Sequence, residues 1–293
     1  MRDWQGISEA ISAAIGRPFS ARRGRALGGG CINQAVCLEG DGIRFFVKLN
    51  EKALLPMFEA EAAGLSAIAD SGTIRVPTPI ATGIEVGRAW LALEHIDLYS
   101  GNSRSSTLLG EQLAALHRSS AHSFGWGRDN TIGTTDQVNT RSTDWVSFYR
   151  EHRLGHQLRL ATTNGASSGL IDAGQRLMDR LPHFFESYKP PPALLHGDLW
   201  SGNTGADDTG APVLFDPAVY YGDREADLAM TELFGGFDDR FYHSYRSTWD
   251  IDPGYSTRKV LYNLYHVLNH FNLFGGAYAR QAEEMVARLL AET

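Results

Sequence analysis

Hydrophobic residues change their spacing several times in the first hundred positions of the chain. Between residues 3 and 15 they recur at every third or fourth position, which predicts an amphipathic helix. From residue 26 to residue 49 short apolar runs are separated by glycine-containing turns, and alternate positions from Ile43 to Leu49 share one face, which predicts antiparallel strands. Helical spacing returns from Phe58 to Ile68, and residues 80–96 have the pattern of a hairpin.

Beyond residue 97 the pattern is mainly helical. Apolar residues at helical spacing extend over residues 108–116, 145–160, 255–274 and 278–290. Two short apolar runs, which end at Leu195 and Phe215, interrupt this pattern and predict short strands. We therefore expect an α+β fold with a small N-terminal antiparallel-sheet lobe, residues 1–96, and a larger, mainly helical C-terminal lobe, residues 97–293.

Composition restricts the classes of function. The net charge of −7 is unlike that of nucleic-acid binders, which usually carry basic patches. No apolar run approaches the roughly eighteen residues of a membrane span. The N-terminus leads directly into the helical pattern without an apolar signal core, so a cytoplasmic protein with no membrane partner is expected. Two cysteines, Cys31 and Cys37, are too few for a disulfide scaffold and favour a reducing compartment.

The turn after the first of the two short strands carries the residues best suited to chemistry. His196-Gly197-Asp198 follows Leu195, Asn203 lies five positions after Asp198, and the second strand ends in Asp216. Two strands that each end in an Asp, with an Asn in the loop between them, have the layout of a protein-kinase-like catalytic loop. In that layout Asp198 accepts the substrate hydroxyl proton, and Asn203 and Asp216 hold Mg²⁺ against the phosphates of ATP. Because Asp and Asn are common turn formers, the short motif alone would also fit a structural loop.

The kinase interpretation requires a glycine-rich loop, a strand lysine and a helix glutamate upstream, and all three occur in that order. Gly28-Gly29-Gly30 separates two predicted strands and would let backbone N–H groups approach phosphates, although three glycines also suit a hairpin tip. Lys48 lies near the end of an apolar strand, where an unpaired ammonium would be costly. Glu61, on the following helix, is its expected partner, with Glu59 as the alternative.

The end of the hairpin at residues 80–96 is expected to form a hinge between the two lobes. There, backbone N–H and C=O groups are placed to bind the edge of adenine, at three consecutive residues: Glu94, His95 and Ile96. Taken alone, the same stretch would be an ordinary strand end. The order of the other motifs favours the hinge.

Three other patterns in the sequence are interpreted as structural features or as a chance match to a motif. Residues 124–141 are polar and contain glycine, which predicts a long ordered loop. In the acidic run that follows Asp216, Asp223 and Asp227 are expected to cap a helix and pair with Arg224. Residues 165–169 match the G-x-S-x-G nucleophile motif, but they lie between helical patterns instead of after a strand, so the match is rejected.

Taken together, these segments resemble the fructosamine kinase (ketosamine-3-kinase) family. The catalytic loop alone would fit aminoglycoside and choline kinases as well, whereas the other segments are more specific to this family. The segments that carry the resemblance are residues 28–33, 45–49, 129–133, 195–203, 215–234 and 261–275. The resemblance therefore extends over nearly the whole chain.

The resemblance implies a bilobal protein-kinase-like fold that uses ATP with Mg²⁺. It implies transfer of the γ-phosphoryl group to the 3-hydroxyl of a ketosamine, either small or protein-bound, and release of the amine when the product loses phosphate. Asp198 would be the base, Asn203 and Asp216 the Mg²⁺ ligands, and Lys48, paired with Glu61, would hold the phosphates. Further residues would cover the nucleotide, bind adenine or line the substrate site: Gly28, Gly29 and Gly30; Glu94, His95 and Ile96; Trp200 and His270.

Two questions stay open at the level of sequence. Cys31, beside the glycine turn, is either a buried inert thiol or a thiolate activated by backbone N–H groups, which would allow a redox-linked dimer of an otherwise monomeric protein. The function has two alternatives: a small-molecule kinase of the same fold that acts on an aminoglycoside, choline or another amino alcohol, and a nucleotide-binding pseudokinase scaffold. The complete set of Lys48, Asp198, Asn203 and Asp216 weighs against the scaffold.

Overall fold

A computed structural model gives the fold, and it describes residues 4–28 and 32–293. The predictions for Gly29, Gly30 and Cys31 lie outside these residues. The strands, in chain order, are β1 (Arg23–Leu27), β2 (Gln34–Gly40), β3 (Ile43–Glu51), β4 (Pro79–Glu85), β5 (Arg88–Glu94), β6 (Asn130–Ile132), β7 (Thr135–Gln137), β8 (Ala193–Leu195), β9 (Thr204–Ala206), β10 (Pro212–Leu214) and β11 (Tyr220–Gly222). The α-helices are α1 (Gln5–Ile15), α2 (Leu55–Asp70), α3 (Ser103–His117), α4 (Trp145–Tyr149), α5 (Gly155–Thr163), α6 (Ser168–Arg180), α7 (Glu225–Leu233), α8 (Asp239–Thr248), α9 (Tyr255–Phe274) and α10 (Tyr278–Ala291).

The chain divides into two compact units. The first contains the described part of Met1–Ser105 together with Gly205–Asp216, and the second contains Ser106–Thr204 and Pro217–Thr293. The α+β class and the antiparallel sheet expected from the sequence are confirmed. The domain boundary expected between residues 96 and 97 stays a prediction.

The first unit is built on a five-stranded antiparallel sheet with the order β1-β2-β3-β5-β4. Side chains alternate across β3, so Phe45, Val47 and Leu49 lie in one core with Ile7 and Ile11 of α1. The intervening Lys48 therefore points to the opposite face of the sheet. The amphipathic helix and the alternating strand predicted from hydrophobic spacing are both present.

The segment 205–216 is held in the first unit by backbone and charged contacts. The amide of Leu214 donates to the carbonyl of Arg75 at 3.0 Å, and the guanidinium of Arg75 binds Asp207 at 2.5 Å and Glu94 at 2.9 Å. Hydrogen bonds from Thr209, and from Arg75 among others, lower the pKa of Asp207 to about 2. These contacts anchor β10, the strand that Asp216 follows.

The second unit has a mainly helical core. Its largest apolar cluster joins residues of α4, α6, α7, α9 and α10 with the short paired strands β8 and β11. Residues 124–141, expected to be a loop, contain the hairpin β6–β7, which turns at Gly133 with φ of +67°. Strands of three residues are too short to give an alternating pattern, so the sequence does not predict this hairpin clearly. The helix α8 is polar and also gives a weak hydrophobic pattern.

Within residues 4–28 and 32–293, no helix has both the length and the apolarity that a membrane span requires.

Candidate active site

Lys48 joins two carboxylates of the first unit. Its Nζ donates to Oε1 of Glu61, on α2, at 2.7 Å, and to Oδ1 of Asp216 at 2.5 Å. The ion pair predicted between Lys48 and Glu61 is therefore present, and Asp216 adds a second carboxylate that the sequence interpretation had not paired with this lysine. Two strands and a helix bring these three side chains together from positions 168 residues apart in the chain.

Because Lys48 and Glu61 are buried, their pKa values depend strongly on each other's charge. The side chains of Lys48 and Glu61 are 5% and 10% exposed, whereas that of Asp216 is 48% exposed. Burial alone would lower the pKa of Lys48, but the carboxylates of Asp216 and Glu61 outweigh it and raise that pKa. The lysine is therefore charged at neutral pH. Burial raises the pKa of Glu61 to about 7, against the opposing effect of Lys48.

The backbone at Asp216 is unusual. Its φ is +58°, in the left-handed region that residues other than glycine rarely adopt. Such strain persists only where surrounding contacts fix it, and it is common at functional sites. The turn, two residues after the end of β10, directs the Asp216 carboxylate at Lys48.

In the second unit, Asn203 is tied to Asp198 within one short loop. Nδ2 of Asn203 donates to the carbonyl oxygen of Asp198 at 2.9 Å and to its Oδ2 at 3.2 Å. Because the amide nitrogen points at Asp198, the Oδ1 oxygen of Asn203 points the other way and can bind a cation. The loop thus presents a carboxylate and an amide oxygen side by side.

Gly197 is required by the fold of this loop. Its φ is +83°, and a Cβ at this position would overlap the backbone carbonyl of Ala218. The amide of Ala218 in turn donates to the carbonyl of His196 at 2.8 Å. The loop that carries Asp198 therefore packs directly on the residues that follow Asp216.

Asp227, on α7, binds the backbone of the same loop. Its carboxylate accepts the backbone N–H groups of His196 and Gly197 at 2.7 and 2.8 Å, and it also accepts from Nε2 of His117 at 3.1 Å. Burial would raise the pKa of Asp227, but the hydrogen bond and charge of His117 outweigh it and lower that pKa. Asp227 is therefore a charged anchor for the loop, a role that the sequence interpretation missed because His117 and His196 are distant in sequence.

The pairing predicted for Arg224 with Asp223 and Asp227 is replaced by other contacts. Arg224 lies 4.1 Å from the ring centroid of Trp249 and donates to the carbonyl of Asp250. Asp223 does cap α7, as expected, because its Oδ1 accepts the amide of Glu225 at 3.0 Å. A flat, weakly hydrated guanidinium stacks well on an indole, which accounts for the contact of Arg224 with Trp249 in place of the predicted carboxylates.

A buried amide network supports the segment after Asp216 from the β6–β7 hairpin. Nδ2 of Asn130 donates to the carbonyl of Val219 at 2.8 Å, and Nε2 of Gln137 donates to the carbonyl of Ala218 at 3.0 Å. Both amides are oriented by further partners, since Gln137 also donates to Oδ1 of Asn130 and accepts from Tyr265. These contacts explain why the polar residues of 124–141 are buried.

Arg153 closes this network, and within the described part of the chain its hydrogen bonds go to carbonyl and amide oxygens. The side chain is fully buried in a π-helical segment, Arg150–Leu154, and its guanidinium lies 4.0 Å from the ring centroid of Tyr220. It donates to the carbonyl of Val138 at 2.7 Å and to Oδ1 of Asn139 at 2.8 Å. Aromatic faces and carbonyl dipoles thus stabilise the buried cation.

Trp200 and His270, the residues expected to line the substrate site, are linked through Phe234. The ring centroids of Trp200 and Phe234 are 6.1 Å apart, and those of Phe234 and His270 are 5.0 Å apart. A Cβ at Gly202 would overlap the indole of Trp200, so the ring lies directly on the backbone of the loop that carries Asp198. The structure therefore joins Trp200 and His270 in one aromatic cluster.

The residues expected to form the hinge begin at Glu94, the last residue of β5. The amide of Glu94 donates to the carbonyl of Thr78 at 2.8 Å, and its carboxylate accepts from Arg75 and Thr78. His95 has a buried Nδ1 without a hydrogen-bond partner in the described part of the chain, and burial lowers the pKa of its imidazole. Ile96 continues the chain out of the sheet, and Gly28 directly follows β1. Adenine and phosphate binding by these residues stay predictions.

The fold and the site define a kinase-like protein. A crystal structure of a thermostable mutant of the aminoglycoside phosphotransferase APH(4)-Ia, apo form, aligns over 98% of this chain and 100% of its own with a TM-score of 0.63. At 15% identity this likeness shows the fold alone. The protein-kinase-like fold expected from the sequence is thereby confirmed.

The family follows from closer relatives. The profile described as Fructosamine kinase matches residues 3–292, so the chain belongs to the fructosamine kinase family. It is 48% identical over 98% of its length, and 97% of the relative's, to a probable ketoamine kinase of Synechocystis sp.. It is 44% identical over 89% of its length, and 77% of the relative's, to a chloroplastic protein-ribulosamine 3-kinase of Oryza sativa subsp. japonica. A candidate fructosamine-3-kinase from Haemophilus somnus 129PT, solved by crystallography, is 29% identical with a TM-score of 0.91, covering 98% of this chain and 97% of its own.

Proposed function

We propose that this protein is an ATP-dependent kinase that phosphorylates the 3-hydroxyl of ketosamines and thereby initiates their deglycation. The observation that carries the proposal is the similarity of nearly the entire chain to proteins named ketoamine kinase and protein-ribulosamine 3-kinase. Fold alone would not choose the acceptor, because one fold hosts many substrates. The neighbours that act on aminoglycosides share only the fold with this chain, so ketosamines are the favoured acceptors.

Lys48 is proposed to bind phosphate oxygens of ATP. Its ammonium is fixed on one side by the buried carboxylate of Glu61, and its contact with the half-exposed Asp216 is the one that can exchange for a phosphate. The glycine turn that begins at Gly28 would cover the phosphates, and the backbone of residues 94–96 would bind adenine. Phosphoryl transfer depends mainly on positioning and charge neutralisation, which this arrangement supplies.

The donor set fits Mg²⁺. Asn203 offers an amide oxygen and Asp216 a carboxylate, and Mg²⁺ prefers such oxygen ligands while keeping waters and substrate phosphates in its shell. Among the described residues no cluster of three or more His, Cys, Asp and Glu side chains forms a metal site, so the phosphates of ATP would complete the coordination. When bound, the ion would neutralise charge on the transferred phosphoryl group.

Asp198 is the proposed general base. Its carboxylate would accept the proton of the 3-hydroxyl while O3 forms a bond to the γ-phosphorus, and the bond from that phosphorus to the bridging oxygen of ADP breaks. The donation from Asn203 Nδ2 to Asp198 holds the carboxylate in one orientation.

The product would break down without further catalysis. Loss of a proton from C1 gives an enaminol. The bond between C3 and the phosphate oxygen then breaks, because phosphate is a far better leaving group than hydroxide, and an imine forms. Water then hydrolyses the resulting imine, which frees the amine and leaves a dicarbonyl sugar. We propose a cytoplasmic monomer that repairs glycated amines in this way; the dimer linked through Cys31 stays a prediction.

The test is ATP consumption with Mg²⁺ against ribulosyl-lysine, fructosyl-lysine, an aminoglycoside and choline. We expect turnover of the ketosamines alone, with formation of ADP and release of inorganic phosphate after a delay. Turnover only of the aminoglycoside or choline would keep the kinase mechanism and reject the acceptor. Nucleotide binding without turnover of any acceptor would favour a scaffold.

A further inference from the structure

Arg75 contacts two parts of the first unit that the proposed function uses separately. Its Nη2 donates to Oε1 of Glu94 at 2.9 Å, and its Nη1 donates to Oδ2 of Asp207 at 2.5 Å. Its backbone carbonyl accepts the amide of Leu214 at 3.0 Å. The proposed adenine-binding hinge begins at Glu94, and Leu214 ends β10, two residues before Asp216. One residue therefore joins the hinge to the strand that leads to a proposed metal ligand.

The segment that carries Arg75 is stiff. Its sequence from Arg75 to Pro79 is Arg-Val-Pro-Thr-Pro. Proline fixes its own φ and also restricts the residue before it to extended conformations, so Pro77 and Pro79 restrict Val76 and Thr78 as well. Val76 is buried, which fixes the segment further. Such a segment transmits a displacement from one end to the other because it has little freedom to absorb it.

At the hinge, both the main chain and the side chain of Glu94 are fixed by this segment. The amide of Glu94 donates to the carbonyl of Thr78 at 2.8 Å. In return, Oε2 of Glu94 accepts the amide of Thr78 at 3.2 Å and its hydroxyl at 3.1 Å. The other carboxylate oxygen binds Arg75. The position of the first hinge residue is therefore set by residues 75–78.

At the other end, the two oxygens of Asp207 have different roles. Oδ1 accepts the amides of Thr209 and Ala211 at 2.9 and 3.0 Å, and the hydroxyl of Thr209 at 2.6 Å. These contacts form the turn between β9 and β10. Oδ2 accepts from Arg75 and so attaches the turn to the stiff segment. The Asp207 side chain is 5% exposed, so little water competes for these contacts.

The strand after this turn places Asp216. Arg75 forms a parallel bridge with Val213, next to its hydrogen bond from Leu214. The chain then turns at Asp216, where φ is +58° and the carboxylate binds Lys48. A backbone strained in this way persists only where the surrounding contacts fix it. Loosening β10 would therefore change where the Asp216 carboxylate points.

We propose that Arg75 is a positioning residue that couples adenine binding at the hinge to the placement of Asp216 as a metal ligand, an inference that rests on the proposed kinase activity. Arg75 would act through Glu94 on one side and through β10 on the other. Such coupling is reciprocal, because each ligand must strengthen the binding of the other by the same factor. It is measured as the ratio of the Kd for ATP without Mg²⁺ to the Kd for ATP with Mg²⁺.

The test is calorimetric titration of the whole chain with ATP, once in EDTA and once with Mg²⁺, without an acceptor. Asp207→Asn removes only the contact with Arg75, because Oδ1 still forms the turn while an NH₂ group replaces Oδ2. We expect the ratio to fall about fivefold, mainly because ATP with Mg²⁺ binds more weakly. Arg75→Met should give the same fall, and Asp208→Asn, at the exposed neighbouring position, is the matched control.

The outcomes separate this coupling from the proposed function. An unchanged ratio in Asp207→Asn, or an equal weakening of ATP binding with and without Mg²⁺, would reject the coupling and leave the kinase intact. A fall of the same size in Asp208→Asn would mean a general effect and would also reject it. Absence of ATP binding by the wild type would remove the proposed function together with the coupling. If thermal unfolding shows that Arg75→Met is not folded, Asp207→Asn decides the result.

Discussion

The indole of Trp200 lies against the backbone of Gly202, at a distance that leaves no room for a side chain at the glycine. Both residues belong to the loop that carries Asp198 and Asn203 at its ends. The position of an aromatic ring is thereby coupled to the conformation of the loop proposed to act on both the acceptor and the metal.

Gly202→Ala should disturb this coupling. The new methyl group would overlap the indole, so Trp200 must rotate away or the loop must shift. We expect kcat/KM for ketosamines to fall about tenfold or more, because a small misplacement near the reacting groups is costly. Steady-state kinetics measure the change, and Gly127→Ala is the control, since a Cβ at Gly127 would contact nothing. Wild-type kinetics in Gly202→Ala would contradict the coupling.

Asp198→Asn should abolish turnover with little loss of stability. The amide keeps the shape of the carboxylate but cannot accept the hydroxyl proton, and general-base catalysis contributes about 10²–10⁴-fold. The measurement is kcat alongside the thermal unfolding temperature. Asp208→Asn, an exposed residue of the first unit, is the control. Substantial activity in a folded Asp198→Asn variant would reject its role as the base.

Lys48→Met should destabilise the first unit as well as weaken ATP use. Lys48 opposes the raised pKa of Glu61, so without the ammonium the Glu61 carboxylate is an unpaired buried charge at alkaline pH, which costs about 3 kcal/mol there. Adding Glu61→Gln removes that unpaired charge, so the double variant should regain about 1 kcal/mol or more in chemical denaturation. Additive losses of stability would show that the two side chains do not depend on each other.

Gln137→Glu should damage the support of the segment after Asp216. In the wild type the side-chain nitrogen donates to Asn130 and to the carbonyl of Ala218, and a carboxylate would place oxygen against both acceptors. We expect a loss of about 2 kcal/mol or more in stability, because the buried partners lose their donors. Denaturant unfolding measures this, with Gln281→Glu, at an exposed position, as the control. An unchanged stability would mean that the network contributes nothing.

His266 should make stability depend on pH. Burial lowers its pKa to about 3, with His270 and Arg153 acting in the same direction and Asp227 opposing them. The unfolded chain takes up a proton near pH 6.5 while the folded chain does not, so this contribution is complete above pH 6.5 and is lost as the pH falls toward 3. The slope is at most about 1.4 kcal/mol per pH unit.

The difference in unfolding free energy between the wild type and His266→Asn isolates this contribution from the other titrating groups. We expect the difference to shrink as the pH is lowered from 7 to 5. Gln281→Asn, an exposed position without a titratable side chain, is the control. A difference that stays constant with pH would mean that His266 takes up its proton equally well in the folded protein.

The sequence predicted the elements whose patterns are long and local. Hydrophobic spacing was sufficient for α1, β3 and α9, and the order of motifs was sufficient to pair Lys48 with Glu61. It was not sufficient for the contacts of Asp227 or for the buried amides of β6 and β7, because their partners are 30 to 110 residues away and their side chains are polar. Only part of the aromatic cluster was predicted: Trp200 and His270 were identified, but Phe234, which follows the last residue of α7, was not.

The addition of Gly205–Asp216 to the first unit has a consequence for how the protein is made. A ribosome that has synthesised the whole five-stranded sheet has not yet delivered the segment that binds Arg75, nor the carboxylate that binds Lys48 from 168 residues further along. Domains generally fold as units during synthesis, and contacts distant in sequence form late. The first unit is therefore complete only after nearly three-quarters of the chain has been translated. The contact between Lys48 and Asp216 can form only after residues 106–204 of the second unit have been synthesised.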